Sequence, residues 1–408
     1  MTFDDDHQNE YDIVFRSLSF PRYCPRPRPT QTQYLPATPR AAAAIFVHSG
    51  ATPSTNSELS RASSSATGSS FFFTISSSSS SSSPAPSSTA SSYRCTFRGK
   101  DTIGFRRSFP PNITPEKLKQ RLSLIGSIRH ANVVQLMGAS ISDKEPRVVD
   151  LMYGFVNSPT LSNCLNNHNA NVNNLYSLYV STWQSRIEIA LGVARGLNYI
   201  HHMTGFDAVL VHNRIKSSNI ILTFRSNNNN TSTAISQQPG VVRPLICKFG
   251  LAQAAGEAAA DDDNQIGSWP TTMASIPESE EEENPYFSPE LRRHEGTLAT
   301  QKSDVYAFGM LLLELLSGAE PVAYYHYDEE ENVHVRMSIV ETARETLAGE
   351  DDERVRGWVD GRLIGFIPVK VAEKAMRVAL HCLSEDPESR PDMGFVEGVI
   401  CDCWINSK

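Results

Sequence analysis

Eight consecutive serines, Ser76–Ser83, stand near the end of a region dominated by Ser, Thr, Pro and Ala. Such a composition buries too little apolar surface to offset the entropy of ordering the chain, so residues 1–90 are expected to form a disordered tail. One run in it is β-prone: Phe71–Ile75 could add an edge strand or remain an isolated apolar patch. From Tyr93 onward apolar and charged residues are mixed through to the C-terminus. One domain of roughly 310 residues, 91–403, is the expectation.

With 40% hydrophobic residues the chain can build a sizeable core. The formal charge of -8 is concentrated in runs such as Asp261–Asp263 and Glu280–Glu283, which argues against a nucleic-acid or anionic-membrane surface. Seven scattered cysteines lack the spacing of a disulfide framework or zinc site and fit a reducing compartment. The acidic start Met1–Asp6 and the short apolar stretch Ala41–Val47 do not read as a secretory signal. The longest apolar run, Met310–Leu316, is interrupted by Glu314 and falls short of the roughly 20 residues that span a bilayer. Neither Met1-Thr2 nor the last residues, Ile405–Lys408, provide a lipidation site. A cytoplasmic protein without direct membrane insertion is expected, any recruitment to the plasma membrane being supplied by a partner.

Periodicity places a strand over Thr102–Arg107 and a helix over Glu116–Ile128, with Leu118, Leu122 and Ile125 on one face, Thr114 as N-cap and Pro115 at its first position. Further helices are predicted over Arg186–His202, from a Ser303 cap through Leu316 to Gly318, and over Val369–Cys382. Strands first and helices afterwards suggest an α+β chain with two lobes, about 91–156 and 157–403. Two low-complexity stretches, 225–239 and 254–284, read as surface insertions.

Six segments then occur in a telling order. They are Arg129–Val134 (RHANVV), Val211–Ile220 (VHNRIKSSNI), Lys248–Ala252 (KFGLA), Tyr286–Glu290 (YFSPE), Ser303–Gly309 (SDVYAFG) and Asp386–Pro391 (DPESRP). Over about 93–403 the chain resembles a protein kinase of the plant receptor-like and Pelle group. The resemblance implies a bilobal kinase-like fold with a small strand-rich N-lobe and a larger helical C-lobe.

Kinases work by positioning and electrostatic stabilisation, so each charged part can be checked in turn. The aspartate that accepts the substrate hydroxyl proton matches Arg214, and a guanidinium cannot act as a base. The aspartate that holds Mg²⁺ matches Lys248, a cation in place of an oxygen ligand. Along the strand usually written V-A-I-K, the lysine matches Arg106, with Arg107 beside it, and the helix glutamate that would pair with it matches Arg121. The glycine-rich loop is replaced by Ala85, Ser87 and Ala90, and Asn213 replaces the arginine that receives an activation-loop phosphate. Asn219 persists, as do three structural positions: Glu290 and Arg390 match an ion pair, and Asp304 matches the residue that bonds the catalytic-loop backbone.

This pattern implies a pseudokinase: no catalytic residue, no required cofactor, weak ATP binding through Arg106, Asn219 and Lys248, and no Mg²⁺. Its expected role is a signalling adaptor or allosteric partner of active receptor-like kinases. Two other readings stay open. One is an atypical serine/threonine kinase with a relocated carboxylate, for which Asp207 is the nearby candidate. The other is a metal-independent nucleotide sensor in which Arg106, Lys248 and Arg214 pair with phosphates. The acidic run Glu278–Glu283 could fold toward Arg214 and Lys248 or stay a solvated loop.

Overall fold

A computed structural model of the chain describes residues 44–48, 74–75, 92–142, 147–166, 177–225, 241–256, 258, 284–293, 297–321, 324–328, 333–349 and 351–408. Ala85, Ser87 and Ala90, most of the two insertions and the acidic run lie outside these residues. Six strands make one sheet in the order β1-β5-β6-β4-β3-β2. Strands β3 (Ser92–Phe97) and β4 (Lys100–Ser108) are joined by a two-residue turn at Arg98 and Gly99, both with positive φ, the geometry that follows the twist of a hairpin. Strand β4 pairs antiparallel with β6 (Val148–Gly154), which pairs with β5 (Leu136–Ser142).

The two edges come from the region expected to be a tail. Strand β1 (Ala44–His48) lies parallel to β5, and β2 (Thr74–Ile75) lies antiparallel to β3. The tail expectation therefore narrows: the edge-strand alternative holds for Thr74–Ile75, and Ala44–His48 is an addition that sequence did not suggest. Such short strands are stable only through the ladder that a neighbour offers, which composition averages cannot register. Deleting residues 1–91 should lower the thermal midpoint clearly, by about 2 kcal/mol or more of lost ladder hydrogen bonds, whereas deleting 1–43 should leave it unchanged. Paired melting curves of the two truncations test this.

Helix α1 (Pro115–Ser127) packs on the sheet. Thr114 caps it by accepting from Lys117 N at 3.2 Å, Pro115 fills its first turn, and Leu118, Leu122 and Ile125 are buried against Ala139, Ile141 and Leu151. The second core is helical, formed by α2 (Trp183–His202), α3 (Gln301–Ser317), α4 (Val369–Cys382) and α5 (Met393–Ile405) around Leu191, Leu312, Ala375 and Val399. The cap of α3 is Thr300 rather than Ser303, which sits three residues in and bonds back to Thr300 N in a reciprocal capping box. Gly318 closes the helix at φ 65°, as expected. Helices α3 and α4 approach closely at Gly309, where a Cβ would fall 2.8 Å from Ala379 O. A hairpin of β7 (Ile220–Arg225) and β8 (Val241–Ile246) lies along α2 and joins the two cores.

Candidate functional site

The segment between α2 and β7 is held by one buried carboxylate. Asp304, fully buried on the first turn of α3, accepts from Asn213 N through Oδ1 at 2.7 Å and from His212 N through Oδ2 at 2.6 Å, with His201 Nε2 3.0 Å from the same oxygen. His212 is wholly buried, and burial holds its pKa down at about 4, so the ring is neutral near pH 7. Its Nδ1 accepts from Arg214 N, which leaves Nε2–H to donate to Cys247 O at 3.1 Å. These bonds fix the backbone of 212–214 independently of what side chain stands at 214. Asn213 adopts φ 54°, a left-handed position that asparagine tolerates.

Lys248 also has a left-handed backbone, φ 69°, which is uncommon for lysine and is enforced by its neighbours. Before it, Cys247 N donates to Asn219 O at 3.0 Å. After it, the Phe249 ring stacks on His212 at 5.8 Å, and Phe249 O accepts from the buried hydroxyl of Tyr153 at 2.6 Å. Gly250 follows at φ 104°, where a Cβ would come within 3.3 Å of Ile125 on α1. Phe249 is thus sealed between the two cores, under α1, by contacts from both sides.

The Lys248 ammonium lies 5.3 Å from the centroid of the Phe105 ring. Its pKa is lowered first by burial and then by three neighbouring cations, Lys216, Arg214 and Arg107. A divalent cation does not fit here. At about 4 Å and an effective dielectric of 20, one ammonium repels a divalent ion by roughly 8 kcal/mol. Asn219 is buried, gives its Nδ2–H to Arg214 O at 2.8 Å, and offers a single amide oxygen, Oδ1, which makes no hydrogen bond. Among the described residues, one such oxygen beside four positive charges does not fit a Mg²⁺ site.

The position read as the strand lysine needs correction. Arg106 points away from this cluster and makes a two-pronged ion pair with Asp150 on the neighbouring strand, Nε to Oδ1 at 2.9 Å and Nη2 to Oδ2 at 3.0 Å. Side chains alternate along a strand, so Phe105 and Arg107 share the opposite face, toward Tyr153 and Lys248. Arg107, rather than Arg106, lies on the face of β4 that turns toward Lys248. The half-buried Arg121 lies on α1, and Arg106 is turned away from this face.

Arg390 is 1% exposed and grips Glu290 with both Nη atoms at 2.7 Å, while donating to Ser384 O, Lys302 O and Glu385 O. One buried link escaped the sequence reading: Tyr286 donates to Glu314 in a short hydrogen bond and stands beside Ser217. Burial pushes the Glu314 carboxyl up to about 7. The signal was available, since Glu314 is the one charge inside the apolar run of α3.

A protein kinase domain model matches residues 107–404. The chain belongs to the protein kinase family. Its kinase domain is 28% identical over 315 residues to LRR receptor-like serine/threonine-protein kinase SIK1 of Oryza sativa subsp. japonica, covering 77% of this chain and 26% of that protein. It is 30% identical over 278 residues to a relative named as a probable receptor-like protein kinase of Arabidopsis thaliana, covering 68% of the chain and 63% of the relative. A third relative, named as a probable inactive receptor kinase of Arabidopsis thaliana, is 27% identical over 309 residues, 75% of this chain and 38% of its own length. The chain spans about a quarter of the length of the first two relatives it matches. Among solved structures, the pseudokinase domain of BIR2, an immune regulator of the RLK/Pelle family, superposes with a TM-score of 0.52 at 21% identity, over 79% of this kinase chain and 80% of that one. Among the described residues no helix is long and apolar enough to cross a membrane.

Proposed function

We propose that the chain is a catalytically impaired kinase that works by binding, as a signalling adaptor or allosteric partner of active receptor-like kinases, in the cytoplasm or recruited to the plasma membrane by such a partner. The observation that carries this reading is the double charge reversal at Arg214 and Lys248 on a backbone still anchored by Asp304 and Tyr153. A proton acceptor and a metal ligand are both replaced by cations, while the bonds that hold the architecture are kept. No cofactor is required, and ATP binding is weak. Of the two alternatives, an atypical kinase draws no support from Asp207, which is exposed on the loop after α2. A metal-independent anion sensor is favoured by the cation cluster, with Arg107 in the place first given to Arg106.

Incubation of the purified chain with labelled ATP and Mg²⁺ should give no phosphate incorporation. The double variant Arg214→Asp with Lys248→Asp should also stay at background. Residues 76–91, which join β2 to β3, contain no glycine to let the backbone approach phosphates, and Arg121 still occupies the glutamate position. Incorporation by the wild type that is lost on Arg107→Ala would overturn the pseudokinase reading. A thermal shift with ATP in the absence of Mg²⁺ would instead favour the sensor.

A further inference from the structure

Strand β1 takes a place in the sheet that its own connection does not dictate. It pairs parallel to β5, from Ala44 opposite Gly138 to His48 opposite Ser142. Parallel strands cannot be joined by a hairpin turn, so no local link decides which strand fills this position. β5 supplies the ladder and α1 the adjoining wall, and Ile45 packs against the core that the two share. Ala139, directly opposite Ile45, is fully buried and small, which leaves a seat for a larger apolar side chain from the next strand. Without β1, the outward amides and carbonyls of Gly138–Ser142 are a template for any extended chain. The ladder to β1 begins at Gly138, although β5 itself runs from Leu136.

We propose that the groove between α1 and β5 is a docking site for an extended, β-branched segment of a partner protein, and that β1 is a tethered plug which the partner's strand displaces. The inference gives the adaptor reading a surface and rests on that reading for the kind of partner. Main-chain pairing supplies affinity, and the seat of Ile45 supplies selection: an isoleucine or valine enters it, whereas a carboxylate or ammonium is penalised by burial. A tethered strand competes at an effective concentration of about 1 mM. The identical strand of a second copy, free at far lower concentration, does not dislodge it. A foreign strand that also pairs alongside Leu136 and Met137 gains a longer ladder and does. β1 thus sets a threshold that only a better-matched chain passes.

Fluorescence anisotropy with the full chain and a labelled peptide copying residues 41–50 tests this. Ile45→Asp should eject the plug and bind the peptide at least about tenfold more tightly than the wild type does. The same peptide with aspartate at the isoleucine position should bind neither. A peptide with valine replacing Ala42 and Ala43, which strengthens pairing along Leu136 and Met137, should compete with β1 on the wild type as well. By hydrogen exchange, amides within Gly138–Ser142 should lose protection in Ile45→Asp and regain it with peptide. Melting curves check that the variant is folded, and Ile45→Thr takes its place if it is not. Equal affinity for wild type and variant, no binding to the variant, or no recovery of protection would overturn the proposal. Concentration-dependent dimerisation of the wild type that Ile45→Asp abolishes would make a second copy the occupant and overturn it too. If the peptide does not bind and phosphotransfer is absent, the groove falls and the adaptor reading stands; if phosphate transfer is observed while the peptide binds as expected, the adaptor reading falls and the groove remains.

Discussion

Replacing Arg390 by alanine is expected to destabilise the fold by about 3–5 kcal/mol and lower the melting midpoint by on the order of 10 °C. The guanidinium is 1% exposed and donates to two carboxylate oxygens and three backbone carbonyls. Alanine leaves Glu290 without its counter-charge and strips a donor from Ser384 O, Lys302 O and Glu385 O together. The effect has a pH signature. Burial pushes the Glu290 carboxyl up, but hydrogen bonds led by that from Arg390 outweigh it and hold the group below the ordinary glutamate range. A depressed folded pKa contributes stability that is present above the unfolded value and lost as pH falls through the folded one. The gap between wild type and Arg390→Ala should therefore narrow in acid. Denaturant melts at neutral pH and below pH 4 would show it, and an equal gap at both would mean that packing on Tyr306, not the ion pair, supplies the stability.

Asp304→Asn should be nearly as damaging, by about 2–4 kcal/mol, although it changes one atom. The carboxylate accepts from two backbone amides and lies within hydrogen-bond distance of His201. An amide has one acceptor oxygen, so its NH₂ must face a donor, and a buried N–H at His212 or Asn213 is left unsatisfied. The amide protons of His212 and Asn213 should then exchange much faster than those of core helix α2. If their protection persists, the loop is held by the His212 to Cys247 contact instead.

The parts of this molecule that could be read from sequence are those fixed by local spacing. Thr114, Pro115 and the Leu118, Leu122, Ile125 stripe predicted α1 because capping and burial both act within a few residues. Arg390, Glu290 and Asp304 could be placed because each lies in a short segment whose neighbours set the register. The arginine of the site could not. Arg106 and Arg107 are adjacent, and the choice between them depends on which face of β4 meets Phe249 and Lys248, a tertiary fact carried by the pairing with β6. The same holds for β1 and β2, whose residues form strands because β5 and β3 offer free edges. The confusion of Ser303 with Thr300 has a smaller cause: in a reciprocal box both residues are good caps, and only the geometry says which leads.

The hydroxyl of Tyr153 on Phe249 O has a consequence for recognition. A segment that in other circumstances could swing between arrangements is here bolted to the sheet, with Gly250 wedged against Ile125. Whatever docks on this face meets a template already cast, so little ordering entropy opposes the encounter and fit is decided by shape and charge alone.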